Sequence, residues 1–338
     1  MNDKFLLPQK RFQEITSRIR GKKILVLGDV GVDRYTVGTA ARLSPEAPVP
    51  VLLVNTQTDK LGMAANVADN IRAFGAVPIL SSLVGEDRIC EDFHSLLSES
   101  GIDGSHIFRH VSRRTSLKER VIAQAQHVVR IDREKTEPLS KEAETLYLEK
   151  VIPLVSQSDA VILEDYAKGV LTERVLTEVI GEARRTRKLI NVDPTTIIRR
   201  PQDYRGVSLF KPNRDEAARL SGIDIKDNSS LKAAGEFFLR ETEAAMVVIT
   251  QGAAGMTVFT PGDEAVTIPT FARSVYDVSG AGDTVISMLT LGLACGASLV
   301  ESSILANFAA GVEVGKQGTA TVTIEELEQH MRLFGAIV

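Results

Sequence analysis

The sequence contains no tryptophan, two cysteines and only 5% aromatic residues in 338 positions. Cys90 and Cys295 stand alone, without a CxxC or regular spacing, which argues against a disulfide framework or thiolate metal site and suits a reducing compartment. No apolar run reaches the roughly 18 residues of a spanning helix. The basic start, MNDKFLLPQKRFQEITSRIRGKK, lacks the continuous apolar segment of a secretory signal. Charge of one sign is missing too. Forty Lys+Arg against 44 Asp+Glu leave a net charge of −4, which gives no electrostatic case for nucleic acid or an anionic membrane as partner. Repeats, low-complexity tracts and Pro/Ser-rich linkers are also lacking. What remains is a composition of 43% hydrophobic and 25% charged residues, near the globular average, which excludes disorder, collagen and coiled coil as the main architecture. The expectation is a soluble cytoplasmic protein.

Apolar periodicity alternates between strand-like and helix-like segments along most of the chain. Lys23–Leu27 is a short apolar run ending in Gly28-Asp29, as a strand buried on both faces reads. Ala64–Phe74 has helical spacing and stops at Gly75, a C-cap residue. Strand patterns follow at Val77–Val84, Ala160–Leu163, Leu189–Val192 and Met246–Thr250, with helical patterns at 88–97, 141–156, 172–186 and 229–240. Repeated βα units of this kind predict an α/β fold with a mainly parallel central sheet flanked by helices. Two β-branched, alternating segments, 47–55 and 115–131, have no helix beside them. They are read as a small antiparallel β lid, inserted from about 34–56 and 112–131. The length alone suggests about two domains. With no linker in view, a single unit over 1–338 with an inserted lid fits better.

The most informative stretch is Tyr276-Asp277-Val278-Ser279-Gly280-Ala281-Gly282-Asp283-Thr284, followed by the apolar helical run VISMLTLGLACG. Small residues let a ligand approach the backbone, and the first helical turn offers unpaired amides and a positive dipole end. Together they make an anion site suited to a phosphate. Asp283, in that first turn, is placed to take a proton from a hydroxyl while the amides stabilise a transferring phosphoryl group. The same residues also fit a plain glycine turn whose Asp283 complements the helix N-terminus. A P-loop and a Rossmann GxGxxG are both absent, which removes a dinucleotide-dependent oxidoreductase.

The run DVSGAGDT resembles the signature of the ribokinase-like (PfkB) family of sugar kinases. Gly28-Asp29, Asp33-Arg34-Tyr35, Ser44–Pro50, Ala64–Ala68 and Asp165-Tyr166-Ala167-Lys168-Gly169 resemble one branch of it, the kinases acting on D-glycero-β-D-manno-heptose 7-phosphate. The resemblance implies a ribokinase-like fold, with ATP and Mg²⁺ as cofactors and a monovalent cation such as K⁺ as a further one. It also implies a homodimer paired through the lid, and ATP-dependent phosphorylation of the anomeric hydroxyl in ADP-heptose and lipopolysaccharide core biosynthesis. The alternatives are a fructose-, ribose- or adenosine-type kinase of the same family, or a catalytically silent sugar- or nucleotide-binding regulator. The intact GAG turn and Asp283 argue against the latter. Heptose kinases of this branch are often fused to a C-terminal nucleotidyltransferase domain. No residues remain for one here, so a stand-alone kinase is expected.

Carried over residue by residue, the resemblance makes Asp283 the general base and Gly280, Ala281 and Gly282 the anion hole. Asn213 and Glu216 match the N-x-x-E motif near Mg-bound phosphates, Glu216 reaching the metal through water. They equally form a capping box. Thr250, Gly252 and Gly255 match a T-x-G-x-x-G nucleotide loop, and Asn307 and Gly318 fall at positions bordering the adenine pocket. Asp29, Asp33, Gly62 and Asn66 are the implied sugar contacts, with turn and cap roles as the plain reading. Lys118, Arg120 and Arg130 in the lid, with Asp165 and Lys168, are the implied phosphosugar contacts. A solvated strand face is the plain reading for the lid cations, and Arg113-Arg114 reads as a turn. The chain departs from the branch at Met63, where a second glycine is usual, and at Glu164, where a small polar residue is usual.

Overall fold

The computed structural model describes residues 5–338 except 125, 273–274 and 317; residue 125 of the expected lid segment therefore lies outside the described residues. In chain order the strands are β1 (Lys23–Gly28), β2 (Val30–Leu43), β3 (Pro50–Met63), β4 (Val77–Val84), β5 (Ile107–Arg109), β6 (Ser116–Ala123), β7 (Gln126–Arg133), β8 (Ala160–Glu164), β9 (Leu189–Asp193), β10 (Leu209–Phe210), β11 (Met246–Thr250), β12 (Met256–Phe259) and β13 (Val266–Ile268). Nine of them form the main sheet in the order β13-β12-β11-β10-β9-β8-β1-β4-β5. It is parallel from β5 to β11, and β12 and β13 add antiparallel.

The strand period of two is visible in β1. Ile24 and Val26 point into one apolar cluster, with Phe12, Phe93, Leu289 and Phe308. Leu25 and Leu27 point into the other, with Tyr147, Val179 and Phe238. Both faces are thus covered by helices, as an apolar run of this kind requires, and each such side chain contributes about 1.5–3 kcal/mol on burial.

Two features of the topology position the site. Parallel strands end at one edge of the sheet, and the strand order reverses between β1 and β8: the chain builds β4 and β5 on one side, then returns to lay β8 to β11 on the other. Ligands in open α/β sheets bind at such a switch point. Here Gly28 and Glu164 are paired across it. A Cβ on Gly28 would lie 2.1 Å from the Glu164 carbonyl oxygen, so only glycine lets the two strand ends meet.

The lid is a second sheet, β3-β2-β6-β7. Each hairpin, β2–β3 and β6–β7, is antiparallel as expected, while the seam between them, β2–β6, is parallel. The strands are also longer than the expected 34–56 segment, because β2 starts one residue after β1 and β3 runs straight into the helix Ala64–Ala73. Among the described residues no helix is long and apolar enough to cross a membrane.

Candidate active site

A cavity of about 760 Å³ opens where the strand ends, the lid and the helix Ala281–Ala294 meet. Gly280 caps that helix with φ +97°, a left-handed conformation that disfavours any Cβ. Gly280, Ala281, Gly282 and Asp283 all line the cavity, with the first-turn amides that no intrahelical carbonyl reaches.

Asp283 is only 7% exposed. Its Oδ2 accepts a 2.6 Å hydrogen bond from Asn66 Nδ2, and its Oδ1 a longer one, 3.4 Å, from the Tyr166 hydroxyl. Burial pushes the Asp283 carboxyl up to about 7; Asp193 and Asp33 add to the rise, against Asn66 and Lys211. That is the range of a general base poised for neutral pH. Asn66 is delivered by the helix Ala64–Ala73, and Thr284, next to Asp283, donates to Asn70 on the same helix at 2.9 Å.

Behind the turn lies a buried ion pair, Lys211 Nζ to Asp193 Oδ2 at 2.6 Å. These two atoms stand 3.7 and 3.8 Å from the position a Cβ would take on Gly282, so the pair abuts the anion turn. Burial works against the Lys211 charge, but Asp193, Glu216 and Glu164 outweigh it and hold the ammonium protonated. Glu164 has one carboxylate oxygen buried without a hydrogen-bond partner among the described residues, and burial, then Asp193 and Asp283, pushes it well above the ordinary range. Sequence reasoning missed Lys211 and Asp193. Their only sequence signal is a place at the ends of strands β9 and β10.

Asn213 and Glu216 form the capping box of the helix Arg214–Ser221 and also line the cavity. Burial and Asp193 push Glu216 up to about 7. Thr250, Gly252 and Gly255 line the cavity as well. Gly255 has φ +88° and would put a Cβ 2.0 Å from the Ile268 carbonyl oxygen, so this turn is shaped by β13. Asn307 reaches the cavity wall and donates to the Pro269 carbonyl at 2.6 Å.

At the lid side, Arg120 donates to Asp33 at 2.7 Å and lies over the Tyr35 ring. Lys118 and Lys168 share Glu134, at 3.2 and 2.6 Å, and Lys118 also reaches Asp132 at 3.3 Å. Arg130 pairs with Asp132. All four cations line the same cavity as Asp283.

Four expected sugar or nucleotide contacts, Asp29, Gly62, Asn66 and Gly318, do not line it; the Asn66 amide instead donates to Asp283. Asp29 is turned into the protein, where both carboxylate oxygens accept backbone N–H groups, from Lys168 at 2.8 Å and Val170 at 3.1 Å. Gly62 makes room for Asp33, whose carboxylate would be 3.0 Å from a Cβ there. Gly318 packs on Tyr35 and Lys60 at the seam between lid and body, its N–H bonded to Asp277. Asp165 does border the cavity, but its carboxylate is occupied by Arg199, Tyr204 and the Ala167 amide. Met63 lines the cavity with φ +61° and ψ −137°, a region suited to glycine.

A buried carboxylate thus stands beside a helix-end anion site in one cavity. Residues 22–326 match the model of the pfkB family carbohydrate kinases. The chain belongs to that family and is, in class, an ATP-dependent carbohydrate kinase. Among curated relatives, it is 41% identical over 328 residues to the bifunctional protein HldE of Geobacter metallireducens, covering 95% of this chain and 65% of that one. To HldE of Wolinella succinogenes it is 43% identical over 308 residues, covering 91% and 64%. The chain thus spans slightly less than two thirds of these relatives. Among solved structures, Arabidopsis thaliana ribokinase complexed with ribose and ATP superposes with TM-score 0.74 at 16% identity, covering 93% of this chain and 99% of that one. Escherichia coli phosphofructokinase-2 with substrates and products gives 0.76 at 17%, covering 93% and 99%.

Proposed function

We propose that the protein transfers the γ-phosphoryl group of ATP to the anomeric hydroxyl of D-glycero-β-D-manno-heptose 7-phosphate, giving the 1,7-bisphosphate used toward ADP-heptose and lipopolysaccharide core. One observation carries this reading: the base Asp283 with its anion turn shares a single cavity with Lys118, Arg120, Arg130 and Lys168, cations that suit an acceptor phosphate. The likeness to HldE relatives and the Asp165–Gly169 motif support the same acceptor.

Asp283 takes the proton as the anomeric oxygen attacks the γ-phosphorus, the bond from that phosphorus to the β,γ-bridging oxygen breaks with ADP as leaving group, and the Gly280–Gly282 amides receive the charge on the transferring group. Lys211 adds a positive charge beside them. Glu216 and Asp193, two buried carboxylates with raised pKa, are the residues that would hold a divalent cation such as Mg²⁺, which would supply positive charge to the nucleotide phosphates. A monovalent cation such as K⁺, action in the cytoplasm and pairing of two copies through the lid belong to the same reading. The lid surface carries exposed Leu53, Val54, Val129 and Ile131.

An unphosphorylated sugar is the competing acceptor, favoured by Glu134, which already neutralises both lysines. ADP release is measured across a panel of sugars and sugar phosphates. The heptose 7-phosphate should give the highest kcat/KM; greater turnover of fructose or ribose overturns the acceptor.

A further inference from the structure

We propose that Arg113 and Asp29 are positioning residues for the acceptor-phosphate end of the site, fixing the loop 165–171 so that the Lys168 ammonium stands in the cavity beside Lys118. This rests on the reading of the acceptor as a phosphosugar.

The peptide units around Lys168 are gripped by two opposite charges. Its N–H and that of Val170 donate to the Asp29 carboxylate. Its carbonyl accepts from Arg113 Nη2, while Arg113 Nη1 donates to the Glu137 carbonyl at 2.9 Å. Asp29 is 2% exposed and Arg113 9%. Burying charges is expensive, and both are spent on the backbone of one short loop. The residues flanking Lys168 are in left-handed conformations, Ala167 at φ +55° and Gly169 at φ +97°. A Cβ on Gly169 would lie 2.2 Å from the Glu137 carbonyl oxygen. Backbone of this kind persists only where its surroundings over-determine it, and it clusters at ligand clamps. The remaining handles are also held: the Gly169 carbonyl accepts from the Leu139 N–H, the Leu171 carbonyl from Arg199, and the Asp165 side chain from Arg199 and Tyr204.

Such a loop fixes the direction in which the Lys168 side chain leaves it. That direction ends at Glu134, 2.6 Å away, whose other oxygen lies 3.2 Å from Lys118. A carboxylate bridging two ammonium groups marks a point where oxyanion oxygens are held by both. Arg113 acts on this point through the backbone it holds, the Lys168 carbonyl and the Glu137 carbonyl three residues past Glu134.

The test compares Arg113→Ala, Arg113→Lys and Asp29→Asn with Lys168→Ala and with the double variant. KM and kcat are measured for the heptose 7-phosphate, for the unphosphorylated heptose and for ATP, alongside thermal unfolding. Arg113→Ala should raise KM for the phosphorylated sugar by about tenfold, matching Lys168→Ala, with kcat and the KM for ATP within about twofold. Arg113→Lys should fall between, and the double variant should be no worse than Lys168→Ala alone. If Arg113→Ala does not fold, Arg113→Lys and Asp29→Asn carry the comparison. Additive losses in the double variant, or a phosphate preference that survives the Arg113 and Asp29 changes but not Lys168→Ala, overturn the positioning role. A wild-type enzyme that treats the two heptoses alike overturns the acceptor reading and this inference with it.

Discussion

Replacing Asp283 by asparagine removes one proton acceptor while keeping the shape of the site. The new amide can turn its oxygen to the Asn66 Nδ2 that now sits 2.6 Å from Asp283 Oδ2, and offer its NH₂ to the Tyr166 hydroxyl. The anion turn, the Lys211–Asp193 pair and the nucleotide end are untouched. A positioned general base is worth about 10²–10⁴ in rate, so kcat should fall by that factor while the KM for ATP changes by less than about threefold. The pH profile gives a second readout. With the carboxyl pushed up to about 7 by burial, wild-type kcat/KM should rise through neutral pH and level off above it, and the variant should lose that limb. Stability moves the other way. The folded-state pKa lies above the ordinary 3.8, so the native protein binds the proton more tightly than the unfolded chain between these values. That stabilisation is present below pH about 4 and is lost as pH rises through about 7, by at most roughly 4 kcal/mol. Asp283→Asn should therefore unfold at a higher temperature than wild type at pH 8, with little difference at pH 4. Stopped or coupled ADP-release assays and calorimetry at the two pH values check this. Turnover within tenfold of wild type, or an unchanged acid limb, refutes Asp283 as base.

Met63 offers a test of backbone strain. Met63→Ala and Met63→Gly both lose the buried side chain, but only glycine relaxes φ +61°, so the glycine variant should be the more stable of the two by about 1 kcal/mol in urea unfolding; the opposite order refutes the strain. Glu313 is fully buried, and among the described residues no side chain donates to its carboxylate, the Ala320 backbone N–H making only a weak contact with it. Burial, then Asp283 and Asp277, pushes it up to about 8. Its raised pKa gives stability below pH about 4.5 that disappears as pH rises through about 8. Glu313→Gln should thus match wild type at pH 5 and exceed it at pH 9, and an unchanged pH slope rules the idea out.

The main sheet was legible because strands buried on both faces read as short apolar runs, and β1, β4, β8 and β11 fall within a residue of their expected bounds. The glycine turn was legible because its residues are local: Gly280, Ala281, Gly282 and Asp283 are consecutive, open one helix and all line the cavity. Asp29 misled for the opposite reason. A carboxylate at a strand end resembles a ligand, yet its partners are amides 139 and 141 residues away. Arg113, Lys211 and Asp193 carry no local mark, because what makes them matter is burial supplied by distant elements. The lid was under-read at its roots, where Val30–Asp33 and Lys60–Met63 alternate too little to reveal strand and pair only through the β2–β3 register.

The junction of β3 with the helix Ala64–Ala73 has no connecting residue between Met63 and Ala64. The lid hairpin and the first turn of that helix therefore meet at a single unusual dihedral, with Asn66 three positions past it. No slack chain lies between the cover of the cavity and the group hydrogen-bonded to the base. The turn that roots the lid hairpin is thus the same turn that sets where the Asn66 amide meets the Asp283 carboxylate.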